Sequence, residues 1–347
     1  MRSLYSVLVV SKRIPPTGDA MQSKNSAIAS DSSYLYRLED IQVAPIFILG
    51  DQRSGTTLLY KTLTDTGCFN AVRAYHIIKY DEILSNHFNQ IEEQAIRELA
   101  VRFKALGISD RKIDRVAATP NLPEEYGFIL KNVVGDELFI TSENLSVFQQ
   151  LCRKIQVASD LEKPLLLKNP WDFPQFLRVK QFIPNARFIF IHRNPIHVVS
   201  SRIKASRSMI FDWNDYTALI SPLYAEIFGN PIKRSLIRLL YSKRFGLGLR
   251  QSIQTSIKAT TYYMENIDAL PAQDYISIRY EDLCNSPAAT IGQIMTFLNI
   301  EDRSNLDYAQ IIEPRSLNLL PEVQKRAKQI QQKSKEYFDY YGYADYA

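Results

Sequence analysis

The chain has 347 residues, a formal net charge of +5 and 46% hydrophobic residues, which suits one large globular domain or two small ones. No apolar run reaches the roughly 18 residues of a membrane-spanning helix, so no membrane span is expected. Three widely spaced cysteines and four unclustered histidines predict free thiols in a reducing, cytoplasmic setting and no metal centre. The cations are not gathered in one block, so nucleic acid is not an expected partner.

The N-terminal segment is predicted to be a flexible arm. Residues 11–33 are rich in serine, proline, lysine and aspartate, a composition typical of segments that do not join a packed core. The arm is therefore assigned to residues 1–42, and a single domain to residues 43–347.

The most informative stretch covers residues 45–59 and reads PIFILGDQRSGTTLL. An apolar, β-branched run predicts a strand, a short polar loop follows from Asp51, and an apolar helical pattern begins at Leu58. The free N–H groups at a helix start and the helix dipole both attract negative charge. The segment therefore predicts a cradle for a phosphate group.

The loop approaches the spacing of a Walker A motif but lacks its lysine. Gly50 and Gly55 stand in GxxxxG spacing, yet Thr56 and Thr57 occupy the positions of the expected Lys-Ser/Thr pair. A cation stands inside the loop instead, at Arg53. This pattern favours a nucleotide whose 5′ end is not a magnesium-bound triphosphate, and the alternative is an ordinary glycine turn between strand and helix.

Strands and helices alternate through the rest of the chain. Further strands are predicted at 165–167, 188–191 and 275–280, and apolar periodicity predicts helices at 81–106, 142–158, 175–182, 195–207, 255–270, 287–298 and 321–338. Such alternation predicts a parallel sheet with helices on both faces. Helical insertions at about 81–118 and 208–250 are expected to roof the site and to select its ligand.

Two of the predicted strands end in basic residues. Lys168 follows the first, His192 and Arg193 follow the second, and Ser201 lies eight residues beyond Arg193. Ligands of open α/β sheets bind beyond the carboxyl ends of the strands, so these cations are expected to face the same crevice as the Arg53 loop. A single arginine at the end of a strand is more often a solvated or ion-paired residue. The role expected for Arg193 therefore depends on two motifs, the Arg53 loop and the Arg193–Ser201 pattern, that occur in this order along the chain.

The strings RSGTTLL and HRNP resemble the motifs of PAPS-dependent sulfotransferases of the bacterial type, and the resemblance covers roughly residues 44–80 and 120–300. It implies an α/β fold: a single P-loop-like domain with a central parallel sheet flanked by helices, plus helical insertions that form a lid. It implies PAPS as the donor and no metal. It also implies that Arg193 and Ser201 bind the 3′-phosphate of the donor.

The resemblance extends to the other end of the donor. It implies that the loop holds the 5′-phosphate and the leaving oxygen through amides, hydroxyls and one guanidinium, from Arg53, Ser54, Gly55, Thr56, Thr57 and Leu58. Lys168, in a Lys-Asn-Pro sequence similar to the family's Lys-Ser/Thr-Pro, is implied to contact the sulfuryl group, so Arg53 and Lys168 are catalytic candidates. Tyr280, in the sequence RYEDL, is implied to stack near the adenine, and the alternative is a tyrosine packed at a strand end.

The general base departs from the family pattern. Cytosolic members use a histidine where this chain has Pro170, and carbohydrate sulfotransferases use a glutamate where it has Ala74. His76 is the first candidate, because an unperturbed imidazole titrates near neutrality. Four carboxylates are alternatives: Asp81, Glu82, Glu124 and Glu125. Trp171 and Asp172 are candidates for the wall of the acceptor pocket.

The predicted function is transfer of the sulfuryl group of PAPS to a hydroxyl or amine of a small-molecule acceptor, which yields PAP and a sulfated product. Two alternatives stay open. One is a P-loop kinase, which the missing Walker lysine disfavours. The other is a non-catalytic nucleotide-binding protein on the same fold, which the absent family glutamate favours. These motifs do not specify the acceptor, O- or N-sulfation, or the oligomeric state.

Overall fold

A central parallel sheet organises the chain. The computed structural model describes residues 30–113, 116–135, 137–242, 246–313 and 318–343. Its sheet has five strands in the order β2-β3-β1-β4-β5, namely β1 (Ile46–Leu49), β2 (Asn70–Ala71), β3 (Leu165–Lys168), β4 (Arg187–His192) and β5 (Tyr275–Arg279). Every pairing is parallel. The predicted class, an α/β domain built on a parallel sheet flanked by helices, is confirmed.

Helices cover both faces of the sheet and one end of it. They are α1 (Thr56–Asp65), α2 (Ala74–Ile78), α3 (Ile83–Phe88), α4 (Glu92–Ala105), α5 (Gly127–Val134), α6 (Leu145–Val157), α7 (Phe176–Phe182), α8 (Pro195–Phe211), α9 (Asp215–Ile220), α10 (Pro222–Gly229), α11 (Pro231–Tyr241), α12 (Leu247–Asn266), α13 (Tyr280–Asn285), α14 (Pro287–Leu298), α15 (Tyr308–Ile311), α16 (Pro321–Gln324), α17 (Ala327–Lys333) and α18 (Lys335–Tyr341). Short 3-10 helices lie at Asp31–Leu38, Tyr80–Glu82, Phe173–Gln175, Ile267–Ala269 and Ala272–Asp274.

Alternate residues of the central strand enter two different cores. Phe47 and Leu49 belong to one buried cluster, while Ile46 and Ile48 belong to the cluster on the opposite face. This alternation follows from the two-residue period of a strand. Because both faces are covered, the strand sequence is a continuous apolar run instead of an alternating one.

The register of the sheet brings the motif-bearing strand ends together. Ile48 of β1 is paired with Lys168 of β3, and Leu49 is paired with Phe190 of β4. The loop after β1, the residues after β3 and Arg193 after β4 therefore leave the same edge of the sheet. This edge is the carboxyl end, where ligands of such sheets bind.

Four of the five strands agree with the sequence prediction, and two predicted helices divide. The strand β2 has only two residues, too few to produce a periodic signal. The helix predicted at 81–106 is split around Gln90, whose φ is 59°, into a 3-10 turn, α3 and α4. The helix predicted at 321–338 is likewise divided into α16, α17 and α18.

The predicted N-terminal arm falls mostly outside the described residues. Its described end, Asp31–Leu38, forms a 3-10 helix that packs on the domain. The carboxylate of Asp31 pairs with buried Lys154 at 2.8 Å and accepts a hydrogen bond from the amide of Ser85 at 2.9 Å. This part of residues 1–42 is therefore held by specific polar contacts, which the serine-rich composition did not reveal.

The tyrosines near the C-terminus cover the end of β4, apart from Tyr346, which lies outside the described residues. The Nδ1 atom of His192 lies 2.8 Å from the hydroxyl oxygen of Tyr337, and its ring stacks on Tyr341 with centroids 4.2 Å apart. Burial lowers the pKa of His192 well below its usual range. The expectation that His192 faces the crevice is therefore wrong, and only its neighbour Arg193 does so.

The described residues between α8 and α12 are mainly helical, and helices were predicted for 208–250. Together with Ile210 of α8, these helices form a separate apolar cluster that contains Tyr224, Ile227, Phe228 and Ile237. This cluster lies over the carboxyl edge of the sheet, where several of its side chains line a cavity. Within the described ranges, no helix combines the length and the apolar character needed to cross a membrane.

Candidate active site

The loop after β1 is shaped by two left-handed residues. The amide of Ser54 donates to the carbonyl of Asp51 at 3.0 Å and closes a turn. Arg53 has a φ of 78° and Gly55 a φ of 108°, so the chain reverses and α1 starts directly at Thr56. Because no helical turn precedes Thr56, the first amides of α1 have no acceptor within the helix and point out of its start. The loop therefore has the backbone geometry that the predicted phosphate cradle needs.

The carboxylate of Asp51 is neutralised at the back of the loop. It forms an ion pair with Arg202 and accepts a hydrogen bond from the hydroxyl of Ser256 at 2.8 Å. Arg202 also donates to the carbonyl of Ser252 at 3.1 Å. These contacts fix the loop to α8 and α12 and leave the cradle without an opposing charge.

A cavity of about 220 Å³ opens over the start of α1. It is lined by most of the residues predicted to bind the donor: Arg53, Gly55, Thr56, Thr57, Leu58, Arg193, Ser201 and Tyr280. Ser54 is the exception, since it is buried beneath the loop and its hydroxyl has no partner among the described residues. We call this space the donor cavity.

The two predicted arginines of the donor cavity are held in fixed positions. Arg193 donates to the carbonyl oxygen of Arg53 at 3.1 Å, and its guanidinium carbon lies 4.1 Å from the ring centroid of Tyr280. The Nε of Arg53 donates to the hydroxyl of Ser201 at 3.2 Å. The side chains of Arg53, Arg193 and Ser201 are therefore brought together at one end of the cavity.

Three further basic side chains line the donor cavity and were not predicted. They are Lys61, His197 and Lys204. Lys61 lies one helical turn after Thr57, and Lys204 lies three residues after Ser201, so helical spacing from the predicted residues would have found both. Burial and the neighbouring Arg193 lower the pKa of His197 to about 4, so the cations around the cavity are its arginines and lysines, which suit a ligand with several phosphate charges.

A second cavity, of about 270 Å³, adjoins the first. Arg53, Thr56 and Thr57 line both cavities. The remaining wall of the second cavity is mainly apolar and includes Ile113, Phe128, Trp171, Met209, Ile210, Tyr216, Ile220, Tyr224, Ile227, Phe228 and Tyr241. We call it the apolar cavity, and its roof comes from the helical segment 208–250.

Lys168 lies beneath the residues where the two cavities meet, and it lines neither cavity itself. Its side chain is fully buried, and its Nζ donates to the hydroxyl of Thr57 at 3.0 Å and to Oε1 of Glu125 at 2.6 Å. Glu125 lines the apolar cavity. Lys168, at the end of β3, thus places its ammonium between the loop after β1 and the carboxylate of Glu125. Thr57, which accepts a hydrogen bond from this ammonium, lies in the first turn of α1.

A second carboxyl group, that of Glu124, is buried behind Glu125. Glu124 accepts hydrogen bonds from Arg111 at 2.9 Å and from the hydroxyl of Tyr216 at 2.6 Å. Burial raises the pKa of Glu124. Burial alone would also raise the pKa of Glu125, but the cations of Lys168 and Arg111 outweigh it and hold that pKa well below its usual range. Glu125 is therefore the ionised member of the pair at neutral pH.

His76 is placed away from both cavities. Its Nδ1 accepts from the backbone amide of Arg73 at 3.0 Å, and its Nε2 lies 3.1 Å from the guanidinium of Arg73. Burial, reinforced by that guanidinium, lowers the pKa of His76 well below its usual range. Both ring nitrogens are thus occupied, and the geometry argues against His76 as the base.

The other predicted carboxylates are also placed outside the two cavities. Glu82 pairs with Lys79 at 2.9 Å. Asp172 is buried and accepts from the amide of Ile140 at 3.0 Å and from the hydroxyl of Tyr126, so it fixes the chain after β3. The expectation that Asp172 lines the acceptor pocket is wrong, whereas Trp171 does line the apolar cavity.

The described residues contain no group of three or more His, Cys, Asp and Glu side chains that could hold a metal ion. The positive charge of the site comes from its arginines and lysines. A phosphate-bearing ligand would therefore be held by guanidinium, ammonium and amide groups.

The sheet order and the loop at the carboxyl edge define an α/β protein of the P-loop-like class. Residues 45–227 match the model of the Sulfotransferase family, and this is more than half of the sequence. The chain belongs to the Sulfotransferase family.

Solved structures show the same fold. Sulfotransferase STF9 from Mycobacterium avium is similar with a TM-score of 0.61 and 12% identity, over 89% of this chain and 80% of that chain. Sulfotransferase STF1 from Mycobacterium tuberculosis H37Rv is similar with a TM-score of 0.54 and 14% identity, over 88% of this chain and 80% of that chain. No curated protein matched the sequence.

Replacing Gly55 with alanine is expected to destabilise the fold and to weaken phosphate binding. An added Cβ would lie 2.4 Å from Cδ2 of Tyr280, in a backbone with a φ of 108°. The left-handed backbone costs about 1–2 kcal/mol, and overpacking adds about 1–3 kcal/mol. Denaturant unfolding and titration with PAP measure the two effects.

Gly67→Ala is the matched control for this substitution. Gly67 has a φ of 71°, and an added Cβ would have no neighbour within 4 Å. This variant should lose only the backbone contribution and should bind PAP like the unmodified protein. Equal losses of stability and unchanged PAP binding in both variants would contradict the packing role assigned to Gly55.

Proposed function

We propose that the protein transfers the sulfuryl group of PAPS to a hydroxyl or amine of an apolar small molecule. The observation that carries the proposal is the meeting of a cationic cavity and an apolar cavity at Thr56 and Thr57. The carboxylate of Glu125 lines the apolar cavity, and the buried ammonium of Lys168 contacts both Glu125 and Thr57. The arrangement suits a donor on one side and an acceptor on the other.

In the donor cavity, Arg193 and Ser201 are proposed to bind the 3′-phosphate. The contact between Arg53 and Ser201 supports this role, because a phosphate there would meet two guanidinium groups and a hydroxyl. The amides of Thr56, Thr57 and Leu58 are proposed to hold the 5′-phosphate. Each charge-assisted hydrogen bond contributes about 1.5–3 kcal/mol.

Tyr280 is proposed as a wall of the donor cavity near the adenine. Its ring packs against the guanidinium of Arg193, and such a cation–π contact contributes about 0.5–2 kcal/mol. The contact keeps the cation at the 3′-phosphate end. Tyr280 thus supports donor binding both directly and through Arg193.

The proposed reaction forms a bond from the acceptor oxygen or nitrogen to sulfur and breaks the bond from sulfur to the 5′-phosphate oxygen. Negative charge then gathers on the leaving phosphate, which becomes PAP. Lys168 and the helix-start amides are proposed to stabilise that charge, whereas Arg53, which contacts Ser201, is proposed to act at the 3′-phosphate end. Fixed donors of this kind each contribute about 10²–10³ in rate.

Glu125 is proposed as the general base in place of His76. Its carboxylate lines the apolar cavity and is ionised through its contact with Lys168, so it is able to accept a proton. When Lys168 turns toward the donor, Glu125 loses its nearest cation and its basicity rises. The proton of the acceptor is therefore proposed to pass to Glu125 as the new bond forms.

The acceptor is proposed to be an apolar or amphiphilic alcohol, phenol or amine. The wall of aromatic and aliphatic side chains around the apolar cavity favours such a molecule. Its reactive group would lie near Glu125, with its apolar part beneath α10 and α11. An edge-to-face pair of Phe128 and Trp171, with centroids 5.6 Å apart, forms one side of the wall.

A reducing, cytoplasmic compartment is proposed as the site of action. Cys68, Cys152 and Cys284 are all unpaired thiols, which is typical of proteins kept under reducing conditions. Cys152 is buried and its pKa is raised by burial. A buried thiol of this kind is unreactive and stays reduced without forming a disulfide.

The non-catalytic alternative loses its main support in this site. It depended on the absence of a glutamate at Ala74, and Glu125 supplies a carboxylate from another segment. The kinase alternative predicts magnesium-dependent turnover of ATP. The sulfotransferase proposal predicts turnover of PAPS without added metal.

Incubation with sulfur-35-labelled PAPS tests the proposal. The protein, in EDTA, is mixed with a panel of apolar alcohols, phenols and amines, and labelled product and PAP are measured. The expected result is labelled product and an equal amount of PAP. Turnover of ATP with magnesium but not of PAPS would favour a kinase, and PAP binding without product from any acceptor would favour a non-catalytic protein.

A further inference from the structure

The roof helix α11 presents apolar side chains outward. Ile232, Leu236 and Leu239 are 80%, 52% and 51% exposed, and their spacing of four and three residues puts them on one face of the helix. The opposite face carries Ile237, which is buried in the roof cluster. A helix on a protein surface normally turns polar residues outward, so this face has the polarity of an interface.

The helix α11 also carries three basic side chains. Lys233 lies beside the exposed stripe, where it pairs with Glu226 at 3.1 Å. Arg234 and Arg238 lie farther around the helix, on the side away from the stripe, where both donate to the carbonyl of Phe211. The cations and the stripe therefore share one end of the molecule.

The sequence around α11 is strongly one-sided in charge. Between Glu226 and Glu265 the sequence contains no aspartate or glutamate. The same stretch contains Lys233, Arg234, Arg238, Lys243, Arg244, Arg250 and Lys258. Any partner that covers the stripe must accommodate this positive charge.

We propose that the outward face of α11 docks on a membrane surface that contains anionic lipids. A basic helix with one apolar face lies in the lipid interface with its apolar side chains among the acyl chains. Nearby lysines and arginines strengthen binding at an anionic surface. A second copy of the chain suits the face less well, since two copies would bring like charges together.

Docking through α11 would place the apolar cavity next to the lipid. The inner side of this roof lines the cavity through Ile227, Phe228 and Tyr241. An amphiphilic acceptor would then enter from the membrane instead of from water. This consequence rests on the proposed function, whereas the docking itself does not depend on any reaction.

Vesicle co-sedimentation tests the docking. The full chain is mixed with phosphatidylcholine vesicles that contain or lack phosphatidylglycerol, at low and high salt. The protein is expected to bind the anionic vesicles at least about tenfold more strongly, and high salt should weaken this binding because it screens the charges. A triple variant, Ile232→Gln, Leu236→Gln and Leu239→Gln, is expected to lose at least about tenfold in partitioning.

Glutamine keeps the helix propensity of leucine, and thermal unfolding checks the fold of each variant. The matched control is Val101→Gln with Leu161→Gln, which removes two other exposed apolar side chains, 68% and 64% exposed. It should bind vesicles like the unmodified protein. No binding of the unmodified protein to anionic vesicles, or equal binding by the triple variant, overturns the proposal. Conversion of a dimer to a monomer by the triple variant, without vesicle binding, assigns the face to a second copy and also overturns it.

Discussion

Glu125→Gln is expected to lower kcat by about 10²–10⁴-fold, the usual contribution of a general base. Glutamine has the same shape but cannot take the proton of the acceptor. PAP binding should change by less than about threefold, because Glu125 lines the apolar cavity and does not line the donor cavity. Steady-state kinetics with PAPS and calorimetric titration with PAP measure the two quantities.

Removing Glu125 also leaves Lys168 buried without its carboxylate, which costs about 3–5 kcal/mol of folding stability. Glu124→Gln is the neighbouring control, since it replaces the adjacent buried carboxyl that contacts Arg111. Because the pKa of Glu124 is raised, the control should be destabilised less than Glu125→Gln, and it should keep kcat within about tenfold. Equal losses of kcat in the two variants would contradict the role of Glu125 as the base.

The pH dependence provides an independent check on the base. Activity requires the base to be deprotonated, so the rate falls as the pH drops through its pKa. Lys168 holds the pKa of Glu125 below its usual range, and kcat/KM should therefore stay level from about pH 7 down to about pH 5. A decline centred near the unperturbed value of histidine, about 6.5, would point to an imidazole instead.

Arg193→Ala is expected to weaken PAP binding by about 30- to 1,000-fold, or about 2–4 kcal/mol. The substitution removes the guanidinium proposed to hold the 3′-phosphate. Binding of AMP, which lacks that phosphate, should change by less than about threefold. Calorimetric titration with both ligands gives the comparison.

Arg207→Ala is the matched control, an arginine on the helix α8 that follows Arg193. Arg207 pairs with Glu322 at 2.7 Å and does not line the donor cavity. Its loss should leave the binding of both ligands unchanged. Equal weakening of PAP and AMP by Arg193→Ala would mean that the residue only holds the loop through the carbonyl of Arg53, and the 3′-phosphate assignment would fail.

Local sequence signals located the donor cavity because its parts are strand ends and a helix start. The strands β1, β3 and β4 are short apolar runs with a polar residue directly after them, and parallel strands share their carboxyl edge. Arg193 lies just before α8, and Ser201 lies in the second turn of that helix. These relations depend on nearby residues, so a single sequence carries them.

The general base could not be chosen from the sequence because burial and side-chain direction decide it. His76 lies in the expected segment, but the ring is turned toward Arg73 and away from the cavities. Glu125 was one of four carboxylates considered. Its proximity to Lys168, 43 residues away in the chain, is a tertiary contact with no periodic signature.

The roof was predicted as helical, but its polarity was not interpreted. The apolar residues of α11 at 232, 236 and 239 read in the sequence like an ordinary core-facing stripe. Only the structure distinguishes them from Ile237, which is 3% exposed. Sequence periodicity identifies a face of a helix without specifying what covers it.

Calorimetric titration of the unmodified protein with PAP, AMP and magnesium–ATP tests the central claim most directly. The account predicts that PAP binds at least about 100-fold more tightly than AMP, since two contacts to the 3′-phosphate contribute about 3 kcal/mol or more. Magnesium–ATP should bind weakly, because the loop has Thr56 where a Walker lysine would stand. Equal affinities for PAP and AMP, or a preference for magnesium–ATP, would contradict a PAPS-dependent donor site.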